Sequence, residues 1–167
     1  MRSLTFLSIV LLLLTVSSAQ AQWASQEIED PFGDDHITGA FTARSGKGLV
    51  VRCVGTSRLE LMFMPNESGD ESVALMANTM GLKILIRIDK DKVDSLEAAT
   101  HSSDGKIVTV ADIEPALADR MAAAKKRIAA VAEMAGQKIG SVSFGVKGSR
   151  RHISKVLKAC NSAREPS

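Results

Sequence analysis

Ser149-Arg150-Arg151-His152-Ile153-Ser154-Lys155-Val156-Leu157-Lys158-Ala159-Cys160 is the stretch that decides the fold. Ile153, Val156, Leu157 and Cys160 fall at i, i+3, i+4 and i+7, the spacing that lines one face of an α-helix. Ser149 stands where a side-chain oxygen can cap a helix start. This helix turns Cys160 toward the core and leaves Arg150, Arg151, His152, Lys155 and Lys158 on its outer side. The other cysteine of the chain is Cys53. It lies in Leu49-Val50-Val51-Arg52-Cys53-Val54, where Leu49, Val51 and Cys53 alternate onto one face of a strand. Two patterns of different period point both sulfurs inward, which predicts a bridge between an early strand and the last helix. Closing a loop of about 107 residues is worth at most ~4–5 kcal/mol in the chain-entropy model. Two buried free thiols or a metal-binding pair are the competing readings.

Outward from that pair, the chain alternates. Ile37, Gly39, Phe41 and Ala43 interleave with Thr38, Ala40 and Thr42, Ser45-Gly46-Lys47-Gly48 turns the chain, and Leu59, Leu61 and Phe63 alternate after a turn at Gly55-Thr56-Ser57. Three strands joined by short turns predict an antiparallel meander. Pro65 to Asp70 reads as a loop. Leu82, Ile84, Ile86 and Ile88 form a further strand, with Lys83 and Arg87 on its opposite face, and Asp104-Gly105 is a tight-turn signal before Lys106 to Val110. Asp112 or Glu114, followed by Pro115, opens a helix carrying Leu117 and Met121 on one side. Residues 126–134 stay open between a continued helix, which their alanine content favours, and a strand hairpinned through Gly136 and Gly140 to Ser141–Val146, toward which the family resemblance given below tilts the reading. The expected fold class is α+β: an antiparallel sheet, curved or sandwich-like, with one or two helices and the last helix tied to an early strand by a disulfide.

The start of the chain has a different character. Arg2 precedes an apolar run from Leu4 to Val16, and Ala19 and Ala21 supply the small residues that a signal peptidase reads. The run is about 13 residues, short of the ~20 that a spanning helix needs, so a stable transmembrane anchor is not expected. Residues 1–21 read as a secretory leader cleaved after Ala21, leaving a periplasmic or secreted product of about 146 residues, the size of one domain. Disulfides persist in that compartment. Residues 22–35 are acidic and turn-rich, with Glu27, Glu29, Asp30, Asp34 and Asp35 and no base, and read as an irregular lead-in. Residues 36–161 form the domain, and 162–167 a flexible tail.

Net charge is +2, so the informative feature is asymmetry: from Arg120 onward Glu133 and Glu165 are the only acids among many bases. The basic face of the last helix, Arg150, Arg151, Lys155 and Lys158, is the candidate binding surface for an envelope protein, cell-wall polymer or other anionic surface; a solvated helix face is the plainer alternative. Export and scarce aromatics argue against nucleic acid. His36, His101 and His152 sit in separate segments without metal-ligand spacing. Asp30, Asp34, Asp35 and His36, like Asp89, Asp91 and Asp94, do not match a calcium loop and read as solvated turns. Met62, Met64, Met76 and Met80 offer thioethers for Cu(I), though methionine more often fills cores. No nucleophile elbow or phosphate loop is present, and no cofactor is expected.

Leu49-Val50-Val51-Arg52-Cys53, Ile86-Arg87-Ile88-Asp89, Ser102-Ser103-Asp104-Gly105, and Phe144-Gly145-Val146-Lys147-Gly148 running on to Leu157-Lys158-Ala159-Cys160 together resemble the VasI/TagO-like proteins associated with type VI secretion. The resemblance spans about Phe41 to Cys160 through scattered positions. Asn161 stands where that family has an aromatic residue, and Ala111 to Gln137 diverges. The resemblance implies an exported accessory or binding domain with Cys53 and Cys160 as a structural pair and no catalytic residues to carry over. The leading expectation is a non-catalytic envelope binding protein. A small hydrolase using His101 or Asp104 in the loop before the fifth strand, and a periplasmic copper-binding protein, are the alternatives.

Overall fold

In the computed structural model, residues 22–29, 36–55 and 57–162 are described. The leader, the cluster at residues 30–35 and the tail beyond residue 162 lie outside them, and so do the expectations that fall there. The meander around Val51 forms as the alternation requires. β2 (His36–Arg44), β3 (Lys47–Val54) and β4 (Arg58–Met64) pair antiparallel in sequence. Their register aligns whole rows across the sheet. Thr42, Leu49 and Phe63 share one row, Ala40, Val51 and Leu61 the next, and Thr38, Cys53 and Leu59 a third. All of these residues are buried. Because the strand period is two, one pairing places these rows on the same face, and in β2 it is Thr38, Ala40 and Thr42 that turn inward while Phe41 faces out with Val50 and Met62. Removing each large apolar side chain of these rows from water contributes roughly 1.5–3 kcal/mol.

β8 (Lys106–Asp112) continues this sheet beside β4, and β7 (Ala99–Ser103) closes its edge. At the opposite edge lies β1 (Ala24–Glu29), giving the order β1-β2-β3-β4-β8-β7. The expected irregular lead-in is thus corrected: much of it is a strand, and Trp23 beside it is among the largest fully buried side chains. Trp23 Nε1 donates to Gly145 O at 3.0 Å, and its backbone N–H donates to Lys147 O at 3.0 Å.

A second antiparallel sheet, ordered β10-β9-β5-β6, contains β5 (Lys83–Ile88), β6 (Asp94–Glu97), β9 (Ile128–Met134) and β10 (Gln137–Phe144). It packs face to face on the first, β9 against β4, β5 and β6 against β8, β10 against β2. Ile84, Ile86, Ile128, Ala130 and Phe144 join the core of the first sheet in one cluster. Residues 126–134 thus hold the strand and not the continued helix. The hairpin turn is at Ala135-Gly136, both with positive φ, whereas Gly140 lies inside β10. There a bulge shifts the register between Ile139 and Val142. The extra residue resets the parity, so Ile139, Val142 and Phe144 all face Ala132, Ala130 and Ile128 while Lys138, Ser141 and Ser143 face out. Gly140 is required twice over: its φ is +70°, and a Cβ there would come within 2.9 Å of Pro65 Cα.

Among the described residues three helices complete the fold, one more than the upper expectation. α2 (Pro115–Ala122) starts at Glu114, as the proline predicts. α3 (Ser149–Ser162) lies across β1, β2 and β3 and against α2. Ile153, Val156, Leu157 and Cys160 are its buried face. The disulfide is formed: Cys53 and Cys160 are joined, with 5.5 Å between their Cα atoms, and both side chains are buried. Ser149 does not cap its own helix; its hydroxyl donates to Ala122 O at 3.3 Å and ties α3 to the end of α2. The unanticipated helix is α1 (Glu71–Thr79), capped by Asp70, whose carboxylate accepts from Val73 N and Ser72 Oγ. Asn78 on α1 exchanges hydrogen bonds with both backbone groups of Thr100, at 2.7 and 2.8 Å, and so covers the exposed edge of β7.

Candidate functional site

The end of α2 and the start of α3 lie side by side, and a basic groove runs between them. It has a volume of about 530 Å³ and is walled by Ala122 to Ala124, Val146 and Gly148, with Lys125, Arg150 and Arg151 at its rim. Alanines and glycine keep the walls low. Gly148 takes φ +86°, which lets the chain turn from β10 into α3, and its carbonyl accepts from His152 N at 3.1 Å. Arg150 and Arg151 occupy the first turn of α3 and are exposed, as are Lys125, Lys126 and Lys147. None of these five cations is ion-paired to a carboxylate among the described residues.

A single acid organises this corner. Asp89 sits at φ +51° just after β5, and its carboxylate accepts from the backbone N–H groups of Lys125 (2.9 Å), Lys126 (2.7 Å) and Arg127 (2.9 Å). Hydrogen bonds from the N–H groups of Lys125 and Arg127 hold the Asp89 carboxyl below its ordinary range. The reading of Asp89, Asp91 and Asp94 as solvated turns is therefore corrected at two positions, because Asp94 pairs with Arg120 at 2.6 Å. Asp89 acts as a clamp on the α2–β9 connection, with the Lys126 charge close enough to act on its carboxylate, and the side chains of Lys125, Lys126 and Arg127 make no salt bridge among the described residues.

The basic helix face read from the sequence divides into two parts. Arg150 and Arg151 border the groove. Lys155 instead forms an ion pair with Glu27 of β1 at 2.9 Å, with both side chains largely exposed, a contact worth at most about 1 kcal/mol. Lys158 is exposed one turn further along. His152 is not on the outer side: it is half-buried, with Nδ1 2.9 Å from Ser25 Oγ. Sequence reasoning missed Lys125 as a groove residue because it lies outside α3.

The alternative sites are placed as follows. His101 is on strand β7, not in a loop, and Asp104 is in the β7–β8 turn at φ +50°. Both are exposed, and neither makes a side-chain hydrogen bond to a described residue. Met62 and Met64 are half-buried on the outer face of the first sheet, and Met76 and Met80 are exposed on and after α1. An apolar groove of about 460 Å³ lies between α1 and the β9–β10 hairpin, lined by Pro65, Val73, Leu82, Ile107 and Ile139. Among the described residues no helix is long and apolar enough to cross a membrane, and no group of three or more His, Cys, Asp or Glu side chains is placed to hold a metal ion. No protein-family model, no curated protein and no solved structure matches this chain.

Proposed function

We propose that this is an exported, periplasmic protein that acts without catalysis as an accessory or binding component of the bacterial cell envelope, recognising an anionic partner through the α2–α3 groove. The observation that carries the reading is the concentration of Arg150, Arg151 and Lys125 around one concave surface whose lining holds no acid, with none of the three in a salt bridge among the described residues. Arginine there favours carboxylate or phosphate, because its planar fork donates two parallel hydrogen bonds. Low apolar walls and fixed cations raise the local concentration of an anion and speed its encounter. Lys158, further along the helix, extends the same field, while Lys155 shares its charge with Glu27.

The apolar leader and the disulfide support an oxidising destination. The resemblance to VasI/TagO-like proteins adds an association with type VI secretion to the proposal.

The test is retention of the mature protein by isolated envelope material at low and at raised salt. Arg150→Glu together with Arg151→Glu should lower retention about tenfold at low salt, and raised salt should do the same to the wild type. Retention that ignores both changes would remove this surface from consideration.

A further inference from the structure

The groove has a neighbour. On the outer face of the second sheet lies a concavity of about 220 Å³, floored by Leu85, Ala129 and Val131 and rimmed by Arg87, Arg127 and Lys138. The β10 bulge turns Ser141 and Ser143 into it on the same side as Lys138. Arg87, Arg127 and Lys138 come from three different strands or strand ends, and none is ion-paired among the described residues. The acids nearest by register are Asp89, which stands opposite Arg127 with its carboxylate taken up by three backbone N–H groups, and Glu133, which pairs across the sheet between Lys83 and Lys138.

The two concave surfaces abut along both strands that separate them. Lys125 rims the α2–α3 groove and Arg127 rims the sheet concavity. They are two residues apart, at most ~7 Å of backbone, and the intervening Lys126 is exposed. On the adjoining strand, Ser143 lines one surface and Val146 the other. Asp89 fixes the backbone of all three cations with its own carboxylate, so their spacing is set by hydrogen bonds. The result is a row of positive charge: Arg150 and Arg151, then Lys125 and Lys126, then Arg127, Arg87 and Lys138.

We propose that this row is a track for a linear polyanionic glycan bearing carboxylates, a reading that rests on the envelope-binding function proposed above and specifies its ligand. The smaller concavity is below the ~300–1,000 Å³ of a site that encloses a whole small molecule, which suits one unit of a longer chain. The serine hydroxyls match sugar hydroxyls, and the guanidinium forks match carboxylates. Nucleic acid fits less well, because base stacking needs exposed aromatic faces. Trp23, Phe63 and Phe144 are buried, and Phe41 lies on the outer face of the other sheet.

Two linked sites predict avidity: a chain long enough to occupy both binds more tightly than one that occupies either. The experiment measures affinity of the disulfide-intact mature protein for oligogalacturonates of about three and about fifteen units. The long chain should bind at least tenfold tighter. Arg87→Ala with Arg127→Ala should remove that gain, so that the long chain binds no more tightly than the short one. Arg87→Lys with Arg127→Lys, which keeps the charge, should retain most of it. Arg150→Glu with Arg151→Glu should weaken both lengths. A length gain that survives Arg87→Ala/Arg127→Ala overturns the track, and single-stranded DNA of equal charge binding as tightly, with the same pattern across the variants, overturns the glycan assignment. Absent oligogalacturonate binding beside envelope retention that still depends on Arg150 and Arg151 overturns the track alone. Retention independent of those two arginines removes the reading beneath it.

Discussion

Asp89 and Arg127 bind each other twice: Asp89 N donates to Arg127 O at 2.9 Å, and Arg127 N donates to the Asp89 carboxylate at 2.9 Å. The same carboxylate gathers Lys125 and Lys126, so one acid anchors the start of β9 to the end of β5. Its carboxyl titrates below its ordinary value of 3.8, chiefly through the Lys125 and Arg127 backbone donors. A depressed folded-state value means that the stabilisation is complete above the unfolded value and is lost as pH falls through the lower, folded one. Asp70 at the α1 cap behaves in the same direction, chiefly through Ser72. Urea midpoints measured from about pH 6 down to about pH 2.5 should fall in the wild type, and Asp89→Asn should flatten part of that fall. An unchanged slope would show that the clamp stabilises nothing through its charge.

The disulfide closes a separation of 107 residues. Cys53→Ala with Cys160→Ala should cost roughly 2–4 kcal/mol, toward the upper end because the loop is long. Equilibrium urea unfolding of the double variant against the oxidised protein measures it, and reduction of the wild type should reproduce most of the loss. A difference below about 1 kcal/mol would mean that the bridge is incidental to the native state.

Gly140 carries the β10 bulge. Gly140→Ala places a Cβ against Pro65 and forces a left-handed φ on a residue that resists it. The expected loss is on the order of 1–3 kcal/mol. Hydrogen exchange should locate the damage in β9 and β10 first.

Glu60 is the buried acid of the outer face of the first sheet, 4 % exposed, and it accepts from Arg52 at 2.6 Å and from Arg58 at 2.8 Å. Glu60→Gln should cost about 1–3 kcal/mol, since a charge-assisted pair of bonds is lost from a site water hardly reaches. Lys155→Ala, which breaks the exposed pair to Glu27, should cost less than about 1 kcal/mol. Equal losses from the two would contradict the burial argument.

The sequence was most informative where one face of an element meets apolar core. β3 and α3 show their periods openly because Leu49, Val51 and Cys53, and Ile153, Val156, Leu157 and Cys160, are the buried faces of a strand and a helix. β1 was hidden because Ser25 and Glu27 meet polar groups of α3, His152 and Lys155, so the strand shows no apolar alternation. α1 was hidden for the opposite reason. It buries small Ala74 and Ala77 and exposes Val73, Leu75, Met76 and Met80, which inverts the usual pattern. Arg150 and Arg151 were legible as a basic face, but the row they join was not. Arg87, the Lys125-Lys126-Arg127 run and Lys138 are separate in sequence, and the pairing of β5, β9 and β10 brings them together. One signal was available: Ile139, Val142 and Phe144 break the period of two around Gly140, the mark of a bulge where a turn was read.

The covalent tie between β3 and α3 also governs when the molecule can be completed. Synthesis runs from the N-terminus, so Cys53 emerges long before its mate and must wait for nearly the entire polypeptide. Until α3 is made, Cys53 has no partner and the part of β1, β2 and β3 that α3 covers has nothing over it. A product truncated a few residues before Cys160 would lack both the covalent link to β3 and the last turn of the helix that packs on β1, β2 and β3.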